Sequence, residues 1–410
     1  MGFEIIAGGV TAVPGFQASG VHVGIKQTNK TKKDIALIYS KVPAVAAGVF
    51  TTNKVQAAPV LISKEHLQGG QVQAVVANSG NANACTGEQG LGDARAMAHA
   101  AAFALGLEPE QVLVASTGVI GVPMPMEVVL PGIKQAAEAL SEKGGQAAAE
   151  AIMTTDTFAK EIAVRVNLGG TQVTIGAIAK GSGMIHPNMA TMLAFVTTDA
   201  VIDRLALQEA VKKATEKSFN MITVDGDTST NDMLVVLANG IAGNSPVSLE
   251  SPELTAFSEA LDYVCIEMAK AIARDGEGAT KLVEVRVQGA KTGDDAKKAA
   301  LAVAKSSLVK TAIYGSDANW GRILAAVGYS GADFDPAAID LYLQDQLGEI
   351  TERMMAKGAP LAFNEEKARM ILDRNYIIII VELNQGPAQA TAWGCDLTYD
   401  YVKINADYRT

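Results

Sequence analysis

The chain has 410 residues, of which 49% are hydrophobic and 19% charged, so it can bury a sizeable core and is not an intrinsically disordered protein. Its formal charge of −10, with no basic stripe along the sequence, excludes nucleic acid as an expected partner. At roughly 150 residues per domain, this length predicts two or three domains.

Cysteine usage and hydropathy indicate the compartment. Cys85, Cys265 and Cys395 are odd in number and widely spaced, which argues against a disulfide framework and against a zinc site. We therefore expect no bound metal and a reducing, cytoplasmic location. The N-terminal sequence lacks the basic and apolar regions of a signal peptide, and no stretch of about 18 uncharged apolar residues predicts a membrane span.

In the first half of the chain, short apolar strands alternate with helices. QVQAVVANSG predicts a strand over Val72–Ala77 that ends in a polar loop, and LGDARAMAHAAAFALGL predicts a helix closed by Gly106. QVLVASTGVIG repeats the change from strand to loop at 111–121. Two alternating runs flank Gly169 and Gly170 and predict a β-hairpin, since glycine supplies the positive φ of a tight turn.

The second half continues the alternation without a regular βαβ period. RLALQEAVKKATEKSF predicts an amphipathic helix, and a second helix is predicted with Ser251 as N-cap, Pro252 at its first position and Gly276 beyond its end. DDAKKAALAVAKSSL is helical, whereas KLVEVRVQGA, YIIIIVELNQG and ATAWGCDLTYDYVKINA predict strands. We therefore expect an α/β fold with mixed sheets.

Small polar residues cluster in loops that follow these elements. Such glycine-rich loops can point backbone N–H groups into a cleft. Each loop alone is also an ordinary turn, but five in one chain predict a shared site. They are ANSGNANACTG (77–87), STGVIG (116–121), KGSGMIHPNMAT (180–191), VDGDTSTND (224–232) and ARDGEGATK (273–281).

Thr191 lies where a polar loop meets an apolar, β-forming run. One interpretation is a β-branched residue that opens a strand. The other is a nucleophile, because cleavage of the Ala190–Thr191 bond would give Thr191 a free α-amine with an ordinary pKa of roughly 8. That amine can accept the proton of the neighbouring hydroxyl. The residues alone leave both interpretations open.

Acyl transfer also requires donors aimed at the developing oxyanion. The Thr117 hydroxyl and the Gly118 N–H are adjacent donors at the end of an apolar strand. A simple strand-ending turn is the alternative.

These motifs resemble the glutamate N-acetyltransferase/ornithine acetyltransferase family of arginine biosynthesis. KGSGMIHPNMATMLAF is similar to its self-cleavage segment, and ANSGNANACTG, STGVIG and DGDTSTND are similar to its other signatures, over essentially all of the chain. The resemblance implies ping-pong acetyl transfer from N-acetylornithine to glutamate through an acetyl-Thr191 enzyme. It implies no resident cofactor, although acetyl-CoA serves some members as a donor substrate.

The resemblance also implies architecture and assembly. Autoproteolysis between Ala190 and Thr191 would give an α chain of residues 1–190 and a β chain of residues 191–410, which assemble as a heterotetramer in the cytoplasm. The implied fold is the two-domain, mixed-sheet α/β architecture shared with DmpA-type aminopeptidases. An aminopeptidase of that type, with water as acceptor, is the second enzyme hypothesis, and a binding protein with a structural Thr191 is the third.

The resemblance assigns the site residue by residue. Thr191 is the nucleophile, and Thr117 and Gly118 form the oxyanion hole. Chemically, Lys180 suits a substrate carboxylate and Glu277 an ornithine ammonium. Alternatively, Lys180 is a solvated loop lysine, Glu277 is an exposed carboxylate at a helix end, and Thr154 is a helix N-cap. Asn405 and Thr410 can reach a site only if the C-terminal tail folds back. The implied substrate contacts are Thr154, Lys180, Thr191, Glu277, Asn405 and Thr410.

Overall fold

The structure, a computed structural model, describes residues 2–26, 30–186 and 192–407. Three of the predicted site residues, Ala190, Thr191 and Thr410, lie outside the described residues. Within the described part of the chain, no helix is both long enough and apolar enough to cross a bilayer.

Strands and helices alternate along the described chain. The strands are β1 (Phe3–Ile6), β2 (Phe16–Val21), β3 (Ile35–Phe50), β4 (Gln71–Asn81), β5 (Val112–Val119), β6 (Lys160–Leu168), β7 (Thr171–Lys180), β8 (Leu193–Thr198), β9 (Met233–Ala238), β10 (Leu282–Ala290), β11 (Asp340–Asp345), β12 (Thr351–Ala356), β13 (Ala359–Pro360), β14 (Tyr376–Glu382) and β15 (Ala388–Cys395). The helices are α1 (Ala58–Gln68), α2 (Gly87–Leu105), α3 (Met126–Glu138), α4 (Gly145–Ala151), α5 (Arg204–Lys217), α6 (Glu253–Arg274), α7 (Gly293–Lys305), α8 (Ser307–Tyr314), α9 (Trp320–Gly328), α10 (Glu365–Leu372) and α11 (Tyr399–Asp407).

The larger sheet is built from both halves of the sequence. Its strand order over the described residues is β1-β6-β7-β8-β9-β3-β4-β5, with β2 paired to β3. The β4–β5 and β8–β9 pairs are parallel and the other pairs are antiparallel. Strands β8 and β9 follow residue 191 in sequence, yet they lie between β7 and β3, which precede it.

The smaller sheet comes from the C-terminal third of the chain. Its order is β13-β12-β11-β14-β10-β15, with β10 parallel to β14 and its other pairs antiparallel. Both sheets are therefore mixed, and the predicted α/β class with mixed sheets is confirmed. The main apolar core joins the sheets through α6, because Ile175 of β7, Leu261 of α6 and Val285 of β10 are buried in one cluster.

Most predicted elements are present with the expected signals. Gly106 ends α2 in the left-handed region at φ +70°. Gly169 and Gly170 turn β6 into β7 at φ +60° and +94°, so the predicted hairpin is confirmed. Ser251 is not the N-cap of α6, because Pro252 occupies that position and the Ser251 hydroxyl accepts the N–H of Ser248 at 2.9 Å instead.

The prediction of a strand through ATAWGCDLTYDYVKINA is wrong in its second half, where α11 forms. The Thr398 hydroxyl accepts the N–H of Tyr401 at 3.3 Å and donates to the Gly278 carbonyl at 2.8 Å. The first contact satisfies a donor at the helix start, and the second anchors that start to the loop after α6. The C-terminal segment thus folds back over the protein as a helix.

Candidate active site

Predicted site residues from five separate segments line one cavity of about 260 Å³. The cavity lies where the loops after β5, α4, β7 and α6 meet the C-terminal helix α11. All six predicted site residues that the structure describes belong to its lining. They are Thr117, Gly118, Thr154, Lys180, Glu277 and Asn405.

The end of β5 brings Thr117 and Gly118 to the cavity. Thr117 pairs with Ser79 and Gly118 with Gly80 in the parallel β4–β5 ladder. Gly118 has φ +138°, and a Cβ there would lie 2.3 Å from the Gly80 carbonyl carbon. Only glycine fits this close approach of two backbones. The geometry is suited to donors held by a rigid strand end.

Lys180, the last residue of β7, is a buried lysine rather than a solvated one. Its side chain is 2% exposed, and its Nζ donates to Thr154 Oγ1 at 2.7 Å and to Thr117 Oγ1 at 3.4 Å. Burial lowers the pKa of Lys180, while the negative charge of Asp156 opposes that shift. Across the sheet, Lys180 pairs with Leu193 of β8. Thr154 lies in the loop between α4 and β6 rather than at a helix start.

Glu277 enters the cavity from the loop after α6. Its N–H donates to the Ser182 carbonyl at 3.0 Å, and its Oε2 accepts the Asn405 amide at 2.8 Å. A Cβ on Gly183 would lie 2.5 Å from Glu277 Cδ, so glycine at 183 leaves room for the Glu277 carboxylate in its present position. The folded-back α11 therefore places Asn405 beside the carboxylate.

The loop before residue 187 is held by a partly buried carboxylate. Asp225 accepts the N–H groups of Met184 at 2.6 Å and Ile185 at 2.9 Å. His186 Nδ1 lies 3.1 Å from Thr223 Oγ1, and burial lowers the pKa of His186 to about 4. These contacts fix the described chain on the N-terminal side of Ala190 and Thr191.

On the other side of that segment, Asp232 holds Met192. Its Oδ1 accepts the Met192 N–H at 3.0 Å, and its Oδ2 has no hydrogen-bond partner among the described residues. The side chain is fully buried, and burial raises the pKa of Asp232 well above its ordinary value. The protonated form of this carboxyl is therefore favoured.

Sequence reasoning missed a buried group of charges beneath the cavity, formed by Asp156, Lys160 and Asp275. The local signals for it were the four-residue spacing of Asp156 and Lys160 and the position of Asp275 in ARDGEGATK, one of the five loops predicted to share a site. Asp275 is 115 residues from Lys160 in sequence, so no local pattern connects them. Among the described residues, no three His, Cys, Asp or Glu side chains converge as metal ligands.

The chain is similar to known proteins along nearly its whole length. The model of the ArgJ family matches residues 17–410. The arginine biosynthesis bifunctional protein ArgJ of Symbiobacterium thermophilum is 61% identical over 407 residues, which cover 99% of this chain and 100% of that protein. The protein of the same name from Bacillus subtilis is 49% identical over 406 residues, covering 99% of this chain and 97% of that protein.

Solved structures show weaker overall likeness. ArgJ of Bacillus halodurans is 49% identical with a TM-score of 0.49 and covers 52% of this chain and 98% of its own. The ornithine acetyltransferase of Mycobacterium tuberculosis, complexed with ornithine, is 38% identical with a TM-score of 0.42, covering 47% and 100%. The L-aminopeptidase D-Ala-esterase/amidase of Ochrobactrum anthropi is 13% identical with a TM-score of 0.42, covering 66% and 86%.

Proposed function

The chain belongs to the ArgJ family of arginine biosynthesis proteins, and from that premise we propose that it transfers an acetyl group from N-acetylornithine to glutamate in a ping-pong reaction. The observation that carries the proposal is the pairing of opposite charges in one cavity. Lys180 and Glu277 line it together with the Thr117 and Thr154 hydroxyls. An amino-acid substrate with a carboxylate and a distant ammonium group is complementary to that arrangement.

In this proposal the active nucleophile is made by self-cleavage. The Thr191 hydroxyl attacks the Ala190 carbonyl carbon, the peptide C–N bond breaks, and the Thr191 nitrogen takes the proton. Water then hydrolyses the ester, leaving the Ala190 carboxylate and a free Thr191 amine. The register of the β7–β8 ladder supports the proposal, because Leu193, the first residue of β8, pairs with Lys180 of the cavity.

Acetyl transfer then proceeds in two halves. The Thr191 amine takes the hydroxyl proton as the oxygen attacks the acetyl carbonyl of N-acetylornithine, and that proton passes to the departing ornithine amine. The oxyanion accepts hydrogen bonds from the Thr117 hydroxyl and the Gly118 N–H. Because Thr117 Oγ1 already accepts from Lys180, its own proton is directed away from that lysine. Glutamate then attacks the acetyl ester and regenerates the enzyme.

Three further points belong to the proposal. Acetyl-CoA is a second donor to the same hydroxyl, as a substrate and not a resident cofactor; the word bifunctional in the relatives' names supports a second reaction. The cleaved α chain (1–190) and β chain (191–410) assemble as a heterotetramer. The protein acts in the cytoplasm.

The first half-reaction tests the proposal. We expect two fragments that meet between Ala190 and Thr191 by intact mass, and N-acetylornithine alone should add one acetyl group to the β chain and release one equivalent of ornithine. Thr191→Ala should stay uncut and take up no acetyl group. The matched Thr191→Ser variant keeps a hydroxyl, so it should be cleaved and acetylated, but more slowly than wild type. An uncut, unacetylated wild-type protein would refute the proposal. Steady ornithine release without any acceptor would favour the aminopeptidase-like hydrolase.

A further inference from the structure

Asp156, Lys160 and Asp275 form a buried ion cluster beneath the candidate site. Lys160 Nζ lies 2.8 Å from Asp156 Oδ1 and 2.5 Å from Asp275 Oδ2. The three side chains are 0%, 0% and 2% exposed, in the order Lys160, Asp156, Asp275. Charges this deeply buried are retained in a fold only when their partners satisfy them. The cluster therefore fixes the positions of the groups that its carboxylates contact.

Asp156 connects the cluster to two residues that line the cavity. Its Oδ2 accepts the N–H of Thr154 at 3.0 Å and lies 3.8 Å from Lys180 Nζ. Its Oδ1 accepts the N–H of Gly181 at 2.7 Å while bonding Lys160. One carboxylate thus fixes the backbone of the Thr154 loop, the backbone after β7 and the ammonium between them. Asp156 does not itself line the cavity.

Asp275 serves the opposite side of the cluster. It accepts the N–H of Thr157 at 3.0 Å and also the Thr157 hydroxyl, and its backbone carbonyl accepts the Ser182 hydroxyl at 2.6 Å. No ion pair joins Asp275 to Lys180 among the described residues. The two carboxylates of the cluster therefore differ in one respect that matters here, because only Asp156 contacts the cationic side chain in the cavity.

The charges that face Lys180 single out Asp156. Glu277, half-buried at the cavity, and Asp232, fully buried, also raise the pKa of Lys180, but each does so less than Asp156. Lys160 and Lys32 repel the ammonium. Asp156 is the largest influence against the effect of burial on the pKa of Lys180. In return, although burial alone would raise the pKa of Asp156, the charges of Lys180 and Lys160 hold it well below its usual value.

We propose that Asp156, although it does not line the cavity, is a positioning residue for acetyl transfer. It keeps Lys180 charged and directed at the Thr154 and Thr117 hydroxyls. The inference rests on the proposed function. Its consequence is a pH dependence, because an ammonium that loses its carboxylate partner releases its proton at lower pH. Substrate binding that needs a charged Lys180 should then fail at lower pH in an Asp156 variant.

The test is the pH profile of the first half-reaction with N-acetylornithine for wild type, Asp156→Asn and Asp275→Asn. In Asp156→Asn we expect the alkaline rise of KM to move to lower pH by roughly 1 to 3 units, the shift that one nearby opposite charge typically produces. Asp275→Asn is the matched control, since it removes one cluster carboxylate of Lys160 without touching Lys180. It should lower Tm and leave the position of the alkaline rise unchanged.

The outcomes separate the inference from the function on which it rests. A purely structural cluster predicts lower Tm in both variants and an unmoved alkaline rise, and that result would overturn the inference while leaving acetyl transfer intact. Equal shifts in both variants would overturn it as well. A wild-type protein that takes up no acetyl group would overturn both. Substrate titration is the same for every variant, so a difference between profiles belongs to the protein.

A second variant keeps the inference testable if Asp156→Asn does not fold. Lys160→Met removes the cation that competes for Asp156 and repels Lys180. The alkaline rise of KM should therefore move to higher pH, opposite to the shift in Asp156→Asn. A rise at the wild-type position or at lower pH would refute the role of Asp156.

Discussion

Asn405 donates its side-chain amide to Glu277 Oε2 at 2.8 Å, although 128 residues separate the two in sequence. The contact joins α11 to the loop after α6 at the rim of the cavity. It orients a carboxylate at a partly exposed position. The C-terminal helix thereby becomes part of the candidate site.

Asn405→Ala should weaken substrate binding without blocking chemistry. A net hydrogen bond contributes about 0.5–1.5 kcal/mol, so KM for N-acetylornithine should rise roughly 2- to 10-fold while kcat stays near wild type. Steady-state kinetics measures the split. Lys403→Ala, on the same helix at an exposed position off the cavity, is the control and should change neither constant. A fall in kcat at unchanged KM would contradict the binding role of Asn405.

Gly118→Ala should impair the oxyanion donors. The new Cβ would lie 2.3 Å from the Gly80 carbonyl carbon at φ +138°, so the end of β5 has to move away from β4. Loss of one such donor lowers kcat by about 10²–10³-fold. Gly121→Ala provides the comparison, because its φ of +79° is also unfavourable but no atom lies within 4 Å of its new Cβ. Equal activity of the two variants would show that the β4–β5 approach is not needed.

Asp232→Asn should stabilise the protein increasingly as pH rises. Because burial raises the pKa of Asp232 well above the ordinary 3.8, the native state binds more protons than the unfolded state above that value. The contribution of protonated Asp232 to the free energy of unfolding of the wild type is therefore lost as pH rises from about 4 towards the raised pKa. Thermal melts at acid and neutral pH should show a Tm advantage of Asp232→Asn that grows with pH. Asp227→Asn, at an exposed position of the same loop, should show no such growth.

His186→Gln should change the acid side of the stability curve. Since burial lowers the pKa of His186 from 6.5 to about 4, the unfolded state binds the proton more readily between those values. The neutral His186 imidazole contributes fully to the free energy of unfolding above pH 6.5, and this contribution is lost as pH falls towards about 4. Wild type should therefore lose more Tm than His186→Gln over this interval, whereas the exposed His99→Gln should follow wild type. Parallel curves for His186→Gln and wild type would contradict a neutral, partly buried imidazole.

Local chemistry accounts for the parts of the fold that could be predicted from sequence. The β6–β7 hairpin follows from two glycines between alternating runs, and the end of α2 follows from Gly106 in the left-handed region. Helix α11 was not predicted, although its start carries a local signal, since the Thr398 hydroxyl accepts the N–H of Tyr401 three residues later. The alternating pattern of the segment favoured a strand instead. The contact that anchors the helix start, from Thr398 to Gly278, spans 120 residues and leaves no local pattern.

The same limit applies to the candidate site. Thr117 and Lys180 belong to recognisable polar loops at strand ends. The residue type and position of Thr117 suggested an oxyanion donor, whereas the role of Lys180 followed from the family resemblance, because the sequence alone left a solvated lysine open. Asp275 follows α6 as an ordinary helix-end carboxylate, and its contact with Lys160 exists only after the smaller sheet and α6 pack against the larger sheet. Local sequence patterns therefore reveal little about charged residues that hold a site in place without lining it.

Strand β8 lies between β7 and β9, and β9 in turn pairs with β3. If the backbone is cut after residue 190, each fragment contributes interior strands to one hydrogen-bonded sheet. The fragments could then separate only if the β7–β8 and β3–β9 ladders broke together. Fragments made separately would have to insert β8 and β9 between β7 and β3. If the proposed cleavage occurs, we therefore expect the uncut polypeptide to fold first and the cut to follow folding as an irreversible last step.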